Sequence, residues 1–264
     1  MILLLDAGNS RLKWAFLDEA GLHEGGALDR AGAQTRDLAR QAWGEMEAPE
    51  AAYVANVGGA TLRRSLTAWM TRNWRITPVF VAAEAEAFGV RNAYARPEGL
   101  GVDRWLALIA ARGRGKGPVA VVDAGTAITI DVLSAKGQHL GGLIVPGISL
   151  MREALAERAE GIGGLPSLAE TPPEGLLAAD TGSAVIGGTL YAAVAVIDRV
   201  LADVRQELGA NTRCFITGGD AEQLLPLLAT QPRHAPGLVL EGLAMVARRD
   251  REAGAAQTKR RAHA

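Results

Sequence analysis

The feature that most constrains this chain is a pattern that occurs twice: an apolar run that ends in Asp-Ala-Gly. Residues 2–5 lead into Asp6-Ala7-Gly8, and residues 119–122 lead into Asp123-Ala124-Gly125. A run that is apolar throughout is typical of a strand buried on both faces, and a following glycine lets the backbone bend sharply and approach a ligand closely. Each turn would offer backbone N–H groups, a carboxylate and a polar side chain, which suit a phosphate tail and its metal ion. Two such turns facing each other across a cleft would form a nucleotide clamp.

Composition excludes several classes of protein. The chain has 264 residues, 48% of them hydrophobic and 22% charged, with a formal net charge of −1. These values are typical of a soluble protein with room for two modest domains, and they give no reason to expect a nucleic-acid or membrane partner. Cys214 is the only cysteine, so no intrachain disulfide can form and we expect a reducing, cytoplasmic compartment. The apolar stretch 184–197 is interrupted by glycines and is too short to span a bilayer.

Strands alternate with helices along the chain, which predicts an α/β layer architecture. The Gly-rich loop 113–118 breaks a helix, and after it the strand-turn-strand order restarts, so we predict domains over 1–113 and 114–253. Residues 254–264 are predicted to be a disordered tail, and the Gly/Pro-rich segment 161–173 a mobile loop. Strands are predicted over 2–5, 11–17, 21–28, 51–57, 77–82, 119–122, 128–133, 139–144 and 214–217, and helices over 31–46, 60–73, 105–112, 148–158, 181–204, 221–228 and 240–248.

Several common active-site motifs are missing. The sequence has neither a Walker P-loop nor a Gly-x-Gly-x-x-Gly fingerprint at a strand end. Ser149 follows Gly147 but lacks the second glycine of a nucleophile elbow. The four histidines are scattered, with no Cys or Glu at metal-binding spacing, which argues against a zinc site.

The first turn carries groups that suit phosphate chemistry. Asp6 could hold Mg²⁺ through water, and Lys13 could neutralise phosphate oxygens. The alternative is a buried strand whose Asp merely caps a tight turn. Recurrence of the pattern at Asp123 favours the functional interpretation.

Two further segments are candidates for binding or catalysis. Asp103 stands at the start of a predicted helix, where the positive end of the helix dipole would keep it ionised, so it could accept the proton of a substrate hydroxyl. Arg104 could bind a substrate carboxylate; the alternative is a capping Asp followed by a solvated Arg. Gly218-Gly219-Asp220 could place an adenine against glycine backbone, although a strand-to-helix turn with two glycines is common.

Taken together, these segments resemble the type III pantothenate kinases of the actin/hexokinase/Hsp70-like phosphotransferase superfamily, over nearly the whole chain up to about residue 250. Residues 6–13 resemble the first phosphate motif of the family, 123–127 the second and 215–220 its adenosine motif. Residues 101–104 match its Gly-x-Asp-Arg motif, and 180–188 resemble the segment whose Thr contacts pantothenate.

The resemblance implies two duplicated actin-like (ribonuclease H-like) α/β domains with a nucleotide cleft between them. It implies ATP-dependent phosphorylation of pantothenate to 4′-phosphopantothenate, the first step of coenzyme A biosynthesis, with Asp103 as general base. It also implies a homodimer, with part of the pantothenate pocket supplied by the partner subunit and the helix over 181–204 as a dimer surface. The site residues would be Asp6, Ala7, Gly8, Asn9, Ser10, Arg11, Leu12, Lys13 and Thr126 for ATP; Tyr94, Gly101, Val102, Asp103, Arg104 and Thr181 for pantothenate; Asp6 for Mg²⁺; and Asp123 for a monovalent cation, K⁺ or NH₄⁺.

The chain departs from the family pattern in two places. Residues 156–164 contain no Thr before Leu165-Pro166, and Asp180 replaces the Asn usual before the substrate Thr. Two other functions stay open: a non-catalytic nucleotide-binding accessory protein, and a kinase of the same fold for another small alcohol such as a sugar. A DNA-binding regulator is least favoured, because no basic face or recognition helix is evident.

Overall fold

The computed structural model describes residues 1–30, 32–159 and 177–262. They form two compact units: Met1–Arg114 together with Gly237–Ala264, and Gly115–Pro236. Short 3₁₀ helices cover Pro97–Gly99 and Leu225–Leu227. The other elements are β1 (Ile2–Ala7), β2 (Arg11–Leu17), β3 (Leu22–Asp29), α1 (Thr35–Trp43), β4 (Ala51–Asn56), α2 (Gly59–Trp74), β5 (Val79–Phe80), β6 (Glu86–Ala87), β7 (Val90–Arg91), α3 (Val102–Gly113), β8 (Val119–Ala124), β9 (Ala127–Leu133), β10 (His139–Pro146), α4 (Ile148–Arg158), α5 (Thr181–Leu208), β11 (Arg213–Thr217), α6 (Ala221–Leu224), β12 (Arg233–His234) and α7 (Leu238–Ala262).

The first unit is a five-stranded sheet with helices packed on it. Its strand order is β3-β2-β1-β4-β5, with β1, β2 and β3 antiparallel and β1, β4 and β5 parallel. Alternate side chains of β1, Leu3, Leu5 and Ala7, pack with α1 and α2. Tyr53 of β4 is in register with Leu4, and burial together with the nearby Asp250 of α7 raises the pKa of its hydroxyl. Helix α7 contacts β1 and β4 and so covers the opposite face.

Four tryptophans fill the core between this sheet and its first two helices. Their ring centroids lie 4.7 to 6.2 Å apart, mostly edge to face, a favourable arrangement of aromatic quadrupoles. These residues come from β2, α1 and α2, so the cluster fixes both helices on the strand that follows the first turn. The four are Trp14, Trp43, Trp69 and Trp74.

The second unit repeats the strand order of the first. Its sheet runs β10-β9-β8-β11-β12, again with three antiparallel strands followed by parallel ones. Ala120, Val122 and Ala124 of β8 pack with Leu190 and Ile197 of α5. The prediction of a mixed α/β fold is therefore confirmed. Cys214 lies in this core, and burial raises the pKa of its thiol, as expected of a small buried side chain rather than a nucleophile.

The C-terminal helix differs from its prediction. Residues 237–253 were assigned to the second domain, yet α7 packs on α3 and belongs to the first unit. Gly242 makes this possible: a β-carbon there would lie 2.2 Å from the carbonyl oxygen of Leu106, so the two helix backbones touch. The Arg114–Glu241 ion pair reinforces the crossing. Residues 254–262, predicted to belong to a disordered tail, lie in α7, which runs to Ala262; the segment is rich in Ala, Lys and Arg, which favour helix.

Other element boundaries moved for local reasons. The helix predicted over 148–158 is confirmed at both ends, whereas α6 has only four residues because Pro226 cannot continue an α-helix. The strand predicted over 77–82 is reduced to Val79–Phe80. The predicted loop 161–173 lies outside the described residues.

Helix α5 corrects the argument about membranes. It has 28 residues and is, among the described helices, the one long and apolar enough by length and composition to cross a bilayer. The apolar stretch 184–197 is shorter than the helix that contains it, because α5 continues past Ile197 through charged residues. Ile197 and Leu201 are fully buried in the core of the second unit, a location that a core helix explains without a membrane.

Candidate functional site

The first Asp-Ala-Gly turn is held by residues outside its own motif. The N–H of Gly8 donates to the carbonyl of Arg11 at 3.0 Å, which closes the β1–β2 hairpin. The Arg30 guanidinium donates to the carbonyl oxygens of Gly8 and Asn9. Gly58 packs against Arg30 and Gly8, since a β-carbon on Gly58 would lie 2.7 Å from Arg30 Nη1 and 3.2 Å from the carbonyl oxygen of Gly8. Sequence analysis missed Arg30 and Gly58, because they follow β3 and β4 and only the fold brings them to the turn.

Asp6 and Lys13 share one face of the first sheet. They are register partners in the antiparallel β1–β2 pair, and both are half-buried. Register partners have β-carbons about 5 Å apart, so carboxylate and ammonium project side by side. They alternate with Leu5 and Leu12, which face the core with α1 and α2, so the pair lies on the face covered by α7.

Asp103 lies in the first turn of α3, close to where the sequence predicted a helix start. Its carboxylate accepts the N–H of Arg104 at 2.8 Å. Gly101 precedes the helix, and a β-carbon there would lie 2.6 Å from Asp103 Oδ1. The glycine of the Gly-x-Asp-Arg motif thus leaves room for the carboxylate to fold over the helix N-terminus, where the dipole stabilises negative charge.

Arg104 and Tyr94, both predicted as substrate residues, lie in contact with each other. Arg104 Nη1 donates to the Tyr94 hydroxyl at 3.2 Å, and only 8% of Arg104 is exposed. The alternative of a solvated Arg is therefore wrong. Asn92 shapes the loop that delivers the tyrosine: its Oδ1 accepts the N–H of Tyr94 at 3.0 Å, and its Nδ2 donates to the carbonyl oxygens of Glu84 and Pro97.

The second Asp-Ala-Gly turn is enclosed by two glycines from other segments. A β-carbon on Gly147 would lie 2.0 Å from the Gly125 oxygen, and one on Gly218 would lie 2.1 Å from the Ala124 oxygen. Gly218 also has a φ of +103°, which favours glycine. Backbone bonds join these segments to the turn: the N–H of Gly147 donates to Thr126 at 2.9 Å. Gly147 and Gly218 thus both pack directly against the second turn.

Asp123 shares a face of the second sheet with two threonines. It is in register with Thr129 of β9 and Thr217 of β11, so one carboxylate and two hydroxyl side chains share one face of the second sheet. Among the described residues, no cluster of three or more His, Cys, Asp or Glu side chains could hold a metal ion. A single carboxylate with neutral oxygen donors fits a hard monovalent cation better than zinc or another transition metal.

Thr181 begins α5, and Asp180 caps that helix. Asp180 accepts the N–H of Ser183 at 2.9 Å, a bond that lowers the pKa of its carboxyl. Asp and Asn are comparable N-caps, which accounts for the replacement seen in the sequence. Thr181 also lines a mostly apolar cavity of about 650 Å³ between α4 and α5, together with Leu150 and Leu155.

Comparison with known proteins identifies the family. A sequence model of the type III pantothenate kinases matches residues 2–203. This chain belongs to the type III pantothenate kinase family. It is 46% identical over 253 residues to the type III pantothenate kinase of Nitrosococcus oceani, with 94% of each chain covered. It is 40% identical over 253 residues to that of Azoarcus sp., with 95% of this chain and 92% of the relative covered. Membership of the type III pantothenate kinase family makes the chain an enzyme, a kinase.

A solved structure shows the fold at greater distance. The activator of 2-hydroxyisocaproyl-CoA dehydratase from Clostridium difficile, determined with bound ADPNP, superposes with a TM-score of 0.53 at 11% identity. The match covers 98% of this chain and 97% of the other. Type III pantothenate kinases therefore share this fold with a protein that binds an ATP analogue.

Proposed function

We propose that this chain transfers the γ-phosphoryl group of ATP to the hydroxyl of pantothenate, forming 4′-phosphopantothenate in the first step of coenzyme A biosynthesis. The observation that carries the proposal is the cluster of Asp103, Arg104 and Tyr94 at the start of α3, in a member of this family. The carboxylate of Asp103 could accept the proton of a substrate hydroxyl, and the guanidinium of Arg104 could bind a substrate carboxylate. The phenol of Tyr94 could hydrogen-bond other polar groups of the substrate. Pantothenate carries all three matching groups.

In this proposal Asp103 is the general base. The N-terminus of α3 and the N–H of Arg104 both stabilise its charged form, which is the form that accepts a proton. It accepts that proton as the oxygen attacks phosphorus, while Arg104 and Tyr94 orient the substrate. Gly101, Val102 and Thr181 complete the substrate site in the proposal.

ATP is proposed to bind at the two Asp-Ala-Gly turns, through residues 6–13 and Thr126. Lys13 projects beside Asp6, and Arg30 fixes the carbonyls of the first turn, so the backbone amides there are held in one orientation. Mg²⁺ would be held through water by Asp6 and would neutralise phosphate charge. The shared strand order of the two sheets supports a duplicated pair of actin-like domains.

A monovalent cation, K⁺ or NH₄⁺, is proposed at Asp123. Thr129 and Thr217 supply neutral oxygens on the same face, as such an ion prefers. The ion would offset phosphate charge beside the second turn.

We further propose a cytoplasmic homodimer with no nucleic-acid or membrane partner. The apolar side chains that favour a second copy are Leu143 and Ile144 on the edge strand β10 and Tyr191 on α5, of which 49%, 61% and 63% are exposed. Exposed apolar side chains on an edge strand are typical of a protein–protein interface, and a second copy of the chain would bury them.

A coupled assay of ADP release with ATP, Mg²⁺ and K⁺, with and without pantothenate, tests the function. We expect pantothenate-dependent turnover, and in Asp103→Asn a fall in kcat of roughly 10²-fold or more with ATP binding retained. Asp37→Asn is the matched control, because Asp37 also lies in the first turn of a helix of this unit but is exposed. Near-normal turnover of Asp103→Asn would show that Asp103 is not the general base. ATP binding without pantothenate turnover in the wild type would favour the accessory protein or another alcohol substrate.

A further inference from the structure

Arg152 is a charged side chain in a mostly apolar contact between two helices. It lies on α4, and its Nε donates to Thr189 Oγ1 of α5 at 3.1 Å. Its Nη2 lies 3.5 Å from the carbonyl oxygen of Ile186, also on α5. Burial lowers the pKa of this guanidinium, while the charge of Asp220 opposes that effect. None of the proposed binding motifs accounts for a half-buried arginine here.

The acceptor of Arg152 is itself fixed. Thr189 is buried, with 5% exposed, and its hydroxyl donates to the carbonyl oxygen of Val185 at 2.8 Å. Its single hydroxyl proton is thereby committed to the α5 backbone, and the oxygen presents a lone pair towards Arg152. Thr189 is buried and Arg152 half-buried, so the bond lies in a mostly apolar contact, where a hydrogen bond is electrostatically stronger than in water.

Helix α4, which Arg152 joins to α5, begins beside the second turn. Gly147 lies about 7.5 Å along the helix axis from Arg152. It donates its N–H to Thr126 and touches the Gly125 oxygen. Asp220, whose charge acts on Arg152, donates its own N–H to Ala124 at 2.9 Å. The position of α4 against α5 therefore decides how closely Gly147 presses on the turn.

We propose that Arg152 is a positioning residue of the nucleotide site: by joining α4 to Thr189 of α5 it holds Gly147 against the turn 123–127. The inference rests on the proposed function in so far as that turn receives the phosphates of ATP. Arg152 contacts no substrate in this proposal. It fixes the backbone of the turn 123–127, to which ATP is proposed to bind.

The experiment measures the Kd of Mg–ATP by titration calorimetry, and kcat and both KM values by ADP release. In Arg152→Met we expect Kd and KM for ATP to rise about tenfold, equivalent to about 1.4 kcal/mol, with KM for pantothenate within twofold of the wild type. Thr189→Val should weaken ATP binding in the same direction, and Thr189→Ser should restore it by returning the hydroxyl. The double variant Arg152→Met, Thr189→Val should be no worse than Arg152→Met, since both changes break one bond. Arg199→Met is the matched control, because Arg199 is an exposed arginine on α5.

Two results would overturn the proposal: an Arg152→Met protein that melts like the wild type and binds Mg–ATP with unchanged Kd, or a Thr189→Val protein that binds it normally. If Arg152→Met fails to fold, Arg152→Lys and Thr189→Val keep most of the packing and carry the same test. Failure of the proposed function looks different. The wild type would then bind Mg–ATP without turning over pantothenate, and the comparison of Kd values among variants would still decide the role of Arg152.

Discussion

Gly147 provides a direct test of how the second turn is built. Its φ of −72° and ψ of 171° are open to any L-residue, so alanine meets no backbone strain there. The obstacle is space, since the new β-carbon would lie 2.0 Å from the Gly125 oxygen and 2.7 Å from the Thr126 oxygen. Real β-carbons essentially never approach closer than 3.0 Å, so the turn or the start of α4 must move by about 1 Å.

In the proposed function this turn binds phosphate, so we expect a shift of about 1 Å to lower kcat/KM by roughly 10²-fold, about 2.7 kcal/mol of transition-state stabilisation. Overpacking of this kind also removes about 1–3 kcal/mol of unfolding free energy. We expect both losses in Gly147→Ala, measured by ADP release at varied ATP and by urea unfolding.

Gly254→Ala is the control for this experiment. Gly254 lies inside α7 and outside the proposed binding motifs, with no atom within 4 Å of its β-carbon position. Alanine in a helix interior should raise stability by about 0.5–1 kcal/mol and leave kinetics unchanged. A Gly147→Ala enzyme with wild-type kcat/KM and stability would refute the view that close contact at this glycine constrains the turn.

Other predictions concern single interactions. Replacing Na⁺ by K⁺ should raise ADP release, and equal rates in both salts would count against the cation role of Asp123. Tyr94→Phe removes the hydroxyl that accepts Arg104, so KM for pantothenate should rise several-fold, about 1 kcal/mol; an unchanged KM would disconnect this bond from substrate binding. Asp198 accepts bonds from Ala229 and Thr230 that outweigh burial and lower the pKa of its carboxyl. Its stabilisation is thus full above its ordinary value of 3.8 and is lost as pH falls through the lower folded pKa. Asp198→Asn should therefore cost about 1–2 kcal/mol in urea unfolding at pH 7 and progressively less below pH 4, and a pH-independent difference would contradict this.

Local patterns in the sequence located most of the elements that carry the site. The strands that end at Asp6 and Asp123, the helix over 148–158 and the start of α5 at Thr181 follow from apolar periodicity, glycines and caps. Boundaries failed where a proline or a tertiary contact intervened. Proline 226 shortened α6, and contact with α3 carried α7 into the first unit.

The sequence by itself determined the candidate functional groups, which lie in two Asp-Ala-Gly turns and a Gly-x-Asp-Arg helix start. It also determined the family to which the chain belongs. Tertiary structure alone decided which distant residues serve those turns. The contacts of Arg30 with the first turn and of Gly147 with the second join separate segments of the chain, and the sequence indicated neither. Such contacts leave no periodic signature, because each depends on strand register and helix packing rather than on neighbours in sequence.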